Sequence, residues 1–287
     1  MLFQLERSHN LKHIVYLFSD ELCEIVGRNY PNYRNIAQKE YLKDSDVHDT
    51  LVMTDHPALG EDLWNRGFAV VGVEHSGIRF PQLPYVCYDV TELEEAYLEQ
   101  IFCQMRLLPI PLFSTERLLI REICPMDVES LYELYRDRES VRFLDPLYED
   151  PEEEREYIRN YIRNVYAIYG YGMWVMEEKQ TGTVVGRIGL EQKELPAVMR
   201  RFCVANGFFS DKTLELGYML GERYRHRGYA EEAARGVIRY AGERLEGPLL
   251  YAVTRAVNQP SCRLCERLGG RDIGMADENY RVYVISE

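Results

Sequence analysis

The sequence lacks the basic excess of a nucleic-acid or anionic-membrane binder: 34 Lys and Arg stand against 47 Asp and Glu, a formal charge of −13 over 287 residues. Affinity for phosphates comes from neutralising them, and no RNA- or DNA-binding signature offsets this balance. Long apolar runs are missing too. The purest, Phe68 to Val73, is far short of the roughly 20 residues of a membrane span, and Glu6 and Arg7 place charge ahead of any apolar stretch, so a cytoplasmic protein is expected. There is no disulfide framework either. Cysteines number seven, an odd and thinly spread set (23, 87, 103, 124, 203, 262, 265), and reduced thiols are expected in a chain of this size. Metal-ligand spacing is absent: Cys262 and Cys265 make a C-x-x-C half-site without a second Cys/His pair, and Asn10 after His9 breaks any His-Glu-x-x-His pattern with His13. No metal is expected, and His9 and His13 read as a solvated pair on one helix face.

What is present is enough apolar residue, 46%, for a full core. The Pro-rich stretch Leu108 to Pro111 divides the chain into expected domains 1–112 and 113–287, both acidic. In the first, Leu51 to Asp55 reads as a buried strand, Pro57 to about Asn65 as a helix closed by Gly67, Phe68 to Val73 as a second strand and Tyr85 to Tyr88 as a third. A helix from Thr91 follows, with a Thr91/Glu94 capping box and Leu93, Tyr97, Leu98, Ile101 and Phe102 on one face. That order describes a small α/β layer domain. In the second part, Leu118 to Ile123 is strand-like and Pro125 to about Arg138 helical. Asp150 and Pro151 open another helix, boxed by Glu153, whose apolar face is Tyr157, Ile158, Tyr161, Ile162 and Val165. Gly172 to Glu178 and Thr183 to Leu190 form a hairpin turned at Gln180 to Gly182. The acidic run Glu149 to Glu156 complements a helix dipole, or else greets a cationic substrate. The apolar connection 193–212 suggests an acceptor-site lid, a dimer contact or an extra strand.

The informative segment is 213–235. A strand, Leu214 to Leu220, enters a turn bearing Arg223, Arg225, His226, Arg227 and Gly228, and the turn opens a helix rich in small residues. Unpaired N–H groups at a helix start, with the positive dipole end behind them and a glycine permitting close approach, suit a polyanionic ligand; the alternative is a surface loop with scattered arginines. Within the strand, alternation puts Leu214, Leu216, Tyr218 and Leu220 on an apolar core face and Glu215, Gly217 and Met219 on the other. Glu215 would then face a space left by Gly217.

Four segments, in order, resemble the GCN5-related N-acetyltransferases (GNAT). Arg225-His226-Arg227-Gly228-Tyr229-Ala230 is similar to their (Gln/Arg)-x-x-Gly-x-(Gly/Ala) pyrophosphate loop. Thr115 to Arg121 resembles the Thr-Glu-Arg-Leu-x-(Leu/Ile)-Arg first strand of the subgroup holding the ribosomal-protein alanine acetyltransferases, Glu215-x-Gly217-Tyr218 its fourth strand, and Asn258-x-x-Ser261-x-x-Leu264 a later helix. The resemblance covers about 114–287. It implies a mixed, mostly antiparallel acyl-CoA-binding sheet behind a small Rossmann-like α/β domain, an α/β (α+β) chain overall. It further implies acetyl transfer from acetyl-CoA to an amine, either a protein N-terminus or a small molecule, in a ternary complex. Pantetheine would pair with the backbone of Met219 and Leu220, pyrophosphate would meet the amides of Arg225, His226, Arg227, Gly228, Tyr229 and Ala230, and Asn258 and Ser261 would complete the acyl-CoA site. Glu215 would be the base, through a water, with Glu191 in reserve and a solvated or structurally bonded glutamate as the alternative. Many relatives carry an acid tyrosine where this chain has Cys265, so either Tyr218, Tyr224 or Tyr229 is the candidate acid, or the thiolate, a good leaving group, departs without one. A catalytically silent acyl-CoA-binding or scaffold protein is the alternative function. No nucleic acid or membrane partner is expected, and a second copy is a candidate partner. The first domain faintly resembles a haloacid-dehalogenase-type fragment through Leu51 to Asp55 and Gly67 to Gly72. Met53 stands where those phosphatases need an aspartate, so no phosphatase activity is expected there.

Overall fold

The computed structural model describes residues 11–19, 42, 47–90, 93–137, 146–208 and 213–285. They divide into two compact units that part between Ile110 and Pro111.

In the N-terminal unit four strands, β1 (His13–Leu17), β2 (Thr50–Thr54), β3 (Ala69–Val73) and β4 (Val86–Cys87), pair in parallel in that order. Parallel strands covered on both faces need apolar residues at every position, which is why β2 and β3 read as unbroken runs. Alternate residues feed two cores. Ile14, Tyr16, Leu51, Met53 and Val71 pack with Leu98, Ile101 and Phe102 of helix α2 (Glu95–Arg106). Val15, Leu17, Val52 and Val70 pack on the other side with Leu63 of helix α1 (Pro57–Asn65) and with Phe80, whose ring lies so close to Gly72 that an added Cβ would sit 2.5 Å from it. Gly67, at φ +92, closes α1 as expected.

Three local expectations change here. His13 begins a strand instead of sharing a helix face with His9, which lies outside the described residues. Helix α2 starts at Glu95 with Glu94 as an N-cap that makes no side-chain bond, while Thr91 lies outside the described residues. Tyr97, assigned to the apolar face, is exposed.

The C-terminal unit is an eight-stranded sheet. Its strands are β5 (Pro111–Ser114), β6 (Leu118–Arg121), β7 (Met173–Glu178), β8 (Thr183–Glu191), β9 (Thr213–Leu220), β10 (Leu249–Arg255), β11 (Arg271–Met275) and β12 (Tyr280–Ile285), ordered β11-β12-β10-β9-β8-β7-β6-β5. Every pairing is antiparallel except β9 with β10. The mixed, mostly antiparallel sheet is the one expected. Helices α3 (Val128–Tyr135) and α4 (Pro151–Tyr161) precede the β7/β8 hairpin. The Asp150 carboxylate caps α4 through the Glu152 N–H at 2.8 Å, but the carboxylate turned inward is Glu154, not Glu153, and it accepts the Tyr148 N–H at 3.0 Å. A π-helical turn, Ile162–Tyr166, follows; the buried residues of this stretch are Ile158, Ile162 and Tyr166, while Tyr157, assigned to the apolar face, is exposed.

The described part of the connection after β8 forms no extra strand. It folds into helix α5 (Ala197–Asn206), and Leu195, Met199 and Cys203 cover Tyr251, Val282 and Val284 of the sheet, which explains the apolar content of this stretch. Helices α6 (Tyr229–Arg244) and α7 (Gln259–Arg267) complete the unit. Cys262 and Cys265 are both free and buried. No helix among the described residues is long and apolar enough to cross a membrane.

Candidate functional site

The sheet opens where its one parallel pair fails. Strands β9 and β10 are paired at Thr213/Leu249, Leu214/Leu250 and Glu215/Tyr251 and no further, although β9 runs on to Leu220 and β10 to Arg255. On its other edge β9 stays bonded to β8 as far as Leu220. The stretch 216–219 therefore offers one row of backbone groups to a gap, and unpaired strand groups invite an extended ligand. A cavity of about 840 Å³ occupies this region, lined on its floor by Glu215, Gly217, Tyr218 and Met219 and across the gap by Thr254 and Ser261.

At the end of β9 the chain makes a 3-10 turn, Glu222–Tyr224, then Arg225 in extended conformation, His226 at φ +60 and Gly228 at φ +82, and enters α6 at Tyr229. Two left-handed residues in three positions turn successive amides to one side, the arrangement that binds anions. Gly228 caps α6 with no side-chain bond to its first N–H groups. The Glu231 and Glu232 carboxylates of the first turn, which could have bonded there, are drawn elsewhere. Glu231 binds Arg235 and Arg267. Glu232 accepts from the Thr115 hydroxyl at 2.5 Å, the Arg117 N–H at 2.7 Å and Arg117 Nε at 2.6 Å. The Arg117 guanidinium also donates to the Arg227 carbonyl at 2.8 Å and lies 4.5 Å over the Tyr229 ring.

The Thr-Glu-Arg opening of the segment 115–121 thus has a mechanical purpose: it pins the glycine turn and the start of α6. Its final arginine, Arg121, is buried and held by two bonds to Asp127 (2.8 and 2.9 Å) and one to Glu177 (2.7 Å). Arg225 is spoken for as well, by Asp137, and the Tyr229 hydroxyl donates to Glu178. Arg225 and Tyr229 are thus engaged in shaping the turn, while Arg223, His226 and Arg227 are exposed.

Glu215 lies deeper than a solvated side chain, 17% exposed, beside the Lys193 ammonium at 3.5 Å. Lys193 also pairs with Glu191 at 3.0 Å, the residue directly opposite Glu215 on β8. Like charges facing each other across strands repel, and the lysine offsets that repulsion. Burial dominates and lifts the Glu215 pKa above the ordinary glutamate value, against the pull of Lys193; the charge of Glu191 adds to the rise. The Tyr251 hydroxyl, buried and without a partner in good hydrogen-bond geometry, faces this carboxylate. Beyond it, an added Cβ on Gly217 would meet nothing nearer than Met173 Sδ at 3.8 Å, so the space beside Glu215 is open.

The apolar-face assignment of β9 needs correcting, because helices cover both sides of the sheet. Met219, assigned to the outer face, is buried, while Tyr218, assigned to the core, sends its hydroxyl 2.9 Å from Ser261 Oγ at the cavity wall. Asn258 caps α7 by accepting the Ser261 N–H at 3.3 Å. Tyr218, Ser261 and Cys265 line the same wall. Burial raises the Tyr218 pKa and pushes the Cys265 thiol up to about 12, so at neutral pH both keep their protons. Among the described residues no group of His, Cys, Asp and Glu is placed to hold a metal ion.

The structure brings Glu215, Tyr218, Met219, Asn258 and Ser261 to one cavity and leads β9 into the turn of Arg225 to Ala230. Tyr224 and Tyr229 do not line it. Lys193, Arg187 and Tyr251 escaped the sequence reading, since their meaning depends on strand register. Of the acidic run 149–156, Glu154 reaches the cavity; Glu152 and Glu156 are paired with Arg159, which lowers the Glu152 pKa.

The acetyltransferase (GNAT) domain family matches residues 117–271. The uncharacterized Bacillus subtilis (strain 168) protein YkkB is 26% identical over 156 residues, 54% of this chain and 82% of its own. The uncharacterized N-acetyltransferase YnaD of the same strain is 25% identical over 167 residues, 56% of this chain and 83% of its own. Among solved structures, a GNAT-family acetyltransferase from Bacillus anthracis aligns with a TM-score of 0.48 at 22% identity, covering 60% of this chain and 96% of that one.

Proposed function

Because the chain belongs to the GNAT acetyltransferase family, for which acetyl-CoA is the implied co-substrate, we propose that it acetylates an amine, a protein N-terminus or a small molecule, by direct attack in a ternary complex. The observation that carries this reading is the parting of β9 from β10 after Glu215, directly upstream of an uncapped, glycine-bearing helix start. The open edge of 216–219 fits a pantetheine arm running along β9 past Met219 and Leu220, and the amides of Arg225, His226, Arg227, Gly228, Tyr229 and Ala230 fit a pyrophosphate. Acetyl-CoA brings the activated acetyl thioester. The protein's part is to align two reactants and remove one proton.

Glu215 is the base in this reading. Its raised pKa brings it closer to the operating pH, where a base is most effective, and the open space beside Gly217 admits a water or the amine itself. Tyr218 is the acid. Its hydroxyl reaches the α7 wall beside Cys265, the position where many relatives carry their tyrosine, so a strand residue supplies the phenol that the helix lacks. Asn258 and Ser261 hold that wall in place. The kinship with ribosomal-protein alanine acetyltransferases and the haloacid-dehalogenase-like character of a non-catalytic domain 1–112 belong to the same proposal.

The test is release of CoA thiol from acetyl-CoA across an amine panel, with Glu215→Gln beside the wild type. Turnover that falls about 100-fold in the variant, with CoA affinity unchanged, supports the enzyme and the base together. Turnover unchanged in Glu215→Gln removes Glu215 from the role. CoA binding without turnover on any amine favours the silent acyl-CoA-binding protein.

A further inference from the structure

The face of the sheet that carries Glu215 and Glu191 also carries an arginine. Register on β8 and β9 sets Glu191 opposite Glu215, Gly189 opposite Gly217 and Arg187 opposite Met219. Arg187 lines the same cavity, in company with Tyr135, Tyr157 and Tyr161. Its Nη1 donates to the Tyr135 hydroxyl at 3.2 Å, its Nε is buried with no acceptor, and no carboxylate pairs with it among the described residues.

Arg255, also at this cavity, donates to the Tyr280 hydroxyl at 3.1 Å, while two further arginines of this unit are held by carboxylates. Arg121 has Asp127 and Glu177, and Arg225 has Asp137. In the cavity itself, Lys193 has Glu191 and Glu215. A phenol accepts a hydrogen bond but does not cancel a charge, and a guanidinium left buried beside phenols is costly unless something anionic completes it.

We propose that Arg187 receives a carboxylate of the acceptor, which makes the acceptor an amino acid or short peptide carrying one carboxylate besides its amine. This rests on the acetyltransferase reading of the same cavity. One planar guanidinium matches one planar carboxylate by two parallel bonds. A doubly charged phosphate would leave net negative charge beside Glu154, Glu191 and Glu215, which line the same space. Arg187 lies four residues along β8 from Glu191, about 13 Å between Cα atoms at the rise of a strand; the backbone of Gly172 and Met173 fills the space at Gly189, and the open room between the two lies on the β9 side, over Gly217. The acceptor would therefore bridge them, carboxylate toward Arg187 and amine toward Glu215. The three tyrosines give its middle an aromatic wall.

The test is calorimetric titration of the CoA-bound protein with free amino acids and dipeptides, each beside its C-terminal amide, in wild type, Arg187→Gln, Arg187→Lys and Tyr135→Phe. At least one acid is expected to bind ten times or more tighter than its amide. That preference should fall below twofold in Arg187→Gln and persist in part in Arg187→Lys, with CoA affinity and melting temperature unchanged. Should Arg187→Gln fold poorly, Tyr135→Phe, which leaves the arginine less well placed, reports instead through a partial loss of the preference. Acids and amides binding alike, no panel member binding, or a preference that survives Arg187→Gln overturns the proposal. Failure of the transferase reading shows separately: acid preference with no thiol released, or no CoA binding, in which case the ligand-free protein is titrated and judged by the same outcomes.

Discussion

Each unit places a carboxylate beside a parallel strand pair, and the two are treated in opposite ways. In the N-terminal unit Asp55, just past β2, is fully enclosed. It accepts the Ser19 N–H at 3.0 Å and the Ser19 hydroxyl at 2.6 Å, and His75 and His56 lie 3.2 and 3.5 Å away. These bonds outweigh the burial that would raise its pKa and hold it below the ordinary aspartate value. In the C-terminal unit Glu215, at the last paired residue of β9, has one lysine that it shares with Glu191, and burial prevails. Strands β1, β2 and β3 stay paired over four or five residues each, whereas β9 and β10 part after three. Chemistry collects where bonding is left incomplete, and the satisfied carboxylate reads as architecture.

The largest effect that would break this contrast is on turnover. Glu215→Gln should cost about 100-fold, or roughly 3 kcal/mol of transition-state stabilisation, whereas Asp55→Asn should leave turnover alone; steady-state rates with any accepted amine compare them. On stability the order reverses. Asp55→Asn breaks charge-assisted bonds in a buried site and should lower the unfolding free energy by about 2 kcal/mol in urea titrations at pH 7. Because the folded-state pKa of Asp55 is depressed, the stability it contributes is present above the unfolded aspartate value and is lost as pH falls through the folded one, so the two proteins should converge in acid.

A third carboxyl sharpens the same point. Glu122 is buried just beyond β6, and burial pushes its pKa up to about 8. A raised carboxyl binds more protons folded than unfolded, so stability should decline as pH rises from the ordinary glutamate value toward 8. Melting curves of Glu122→Gln should match wild type near pH 4 and lie above it at pH 9. The smallest effect concerns Lys193, which lowers the Glu215 pKa: Lys193→Gln should move the acid limb of the rate profile upward by about half a pH unit to one unit. An acid limb that does not move would mean that Lys193 swings clear when substrates bind.

Much of this was legible in the sequence, for identifiable reasons. β2 and β3 declared themselves because doubly covered parallel strands are apolar throughout, and the turn at Gly228 did so because small and basic residues cluster there. Segment 115–121 was legible as a pattern, but its purpose was not, since Glu232 lies more than a hundred residues from Thr115. β1 was missed beside histidines that suggested helical spacing. The stretch that forms α5 was recognised as apolar, but its helical form and its seat on Tyr251 and Val282 depend on tertiary contacts. Glu215 was singled out by alternation together with the family resemblance; that Lys193 pairs with it and that Arg187 shares its face follow from the β8/β9 register, which no single segment encodes.

The central claim is that the gap between β9 and β10, leading to the turn at Gly228, is the acetyl-CoA slot. Gly228 takes a left-handed φ of +82 at the helix start, and a glutamate there would bring both backbone strain and negative charge to the proposed pyrophosphate seat. Calorimetric titration of wild type and Gly228→Glu with acetyl-CoA tests this most directly. The account predicts micromolar binding by the wild type and at least a 100-fold loss in a variant whose melting temperature shows it folded. Equal affinity in the two proteins, or no binding by the wild type, would contradict it.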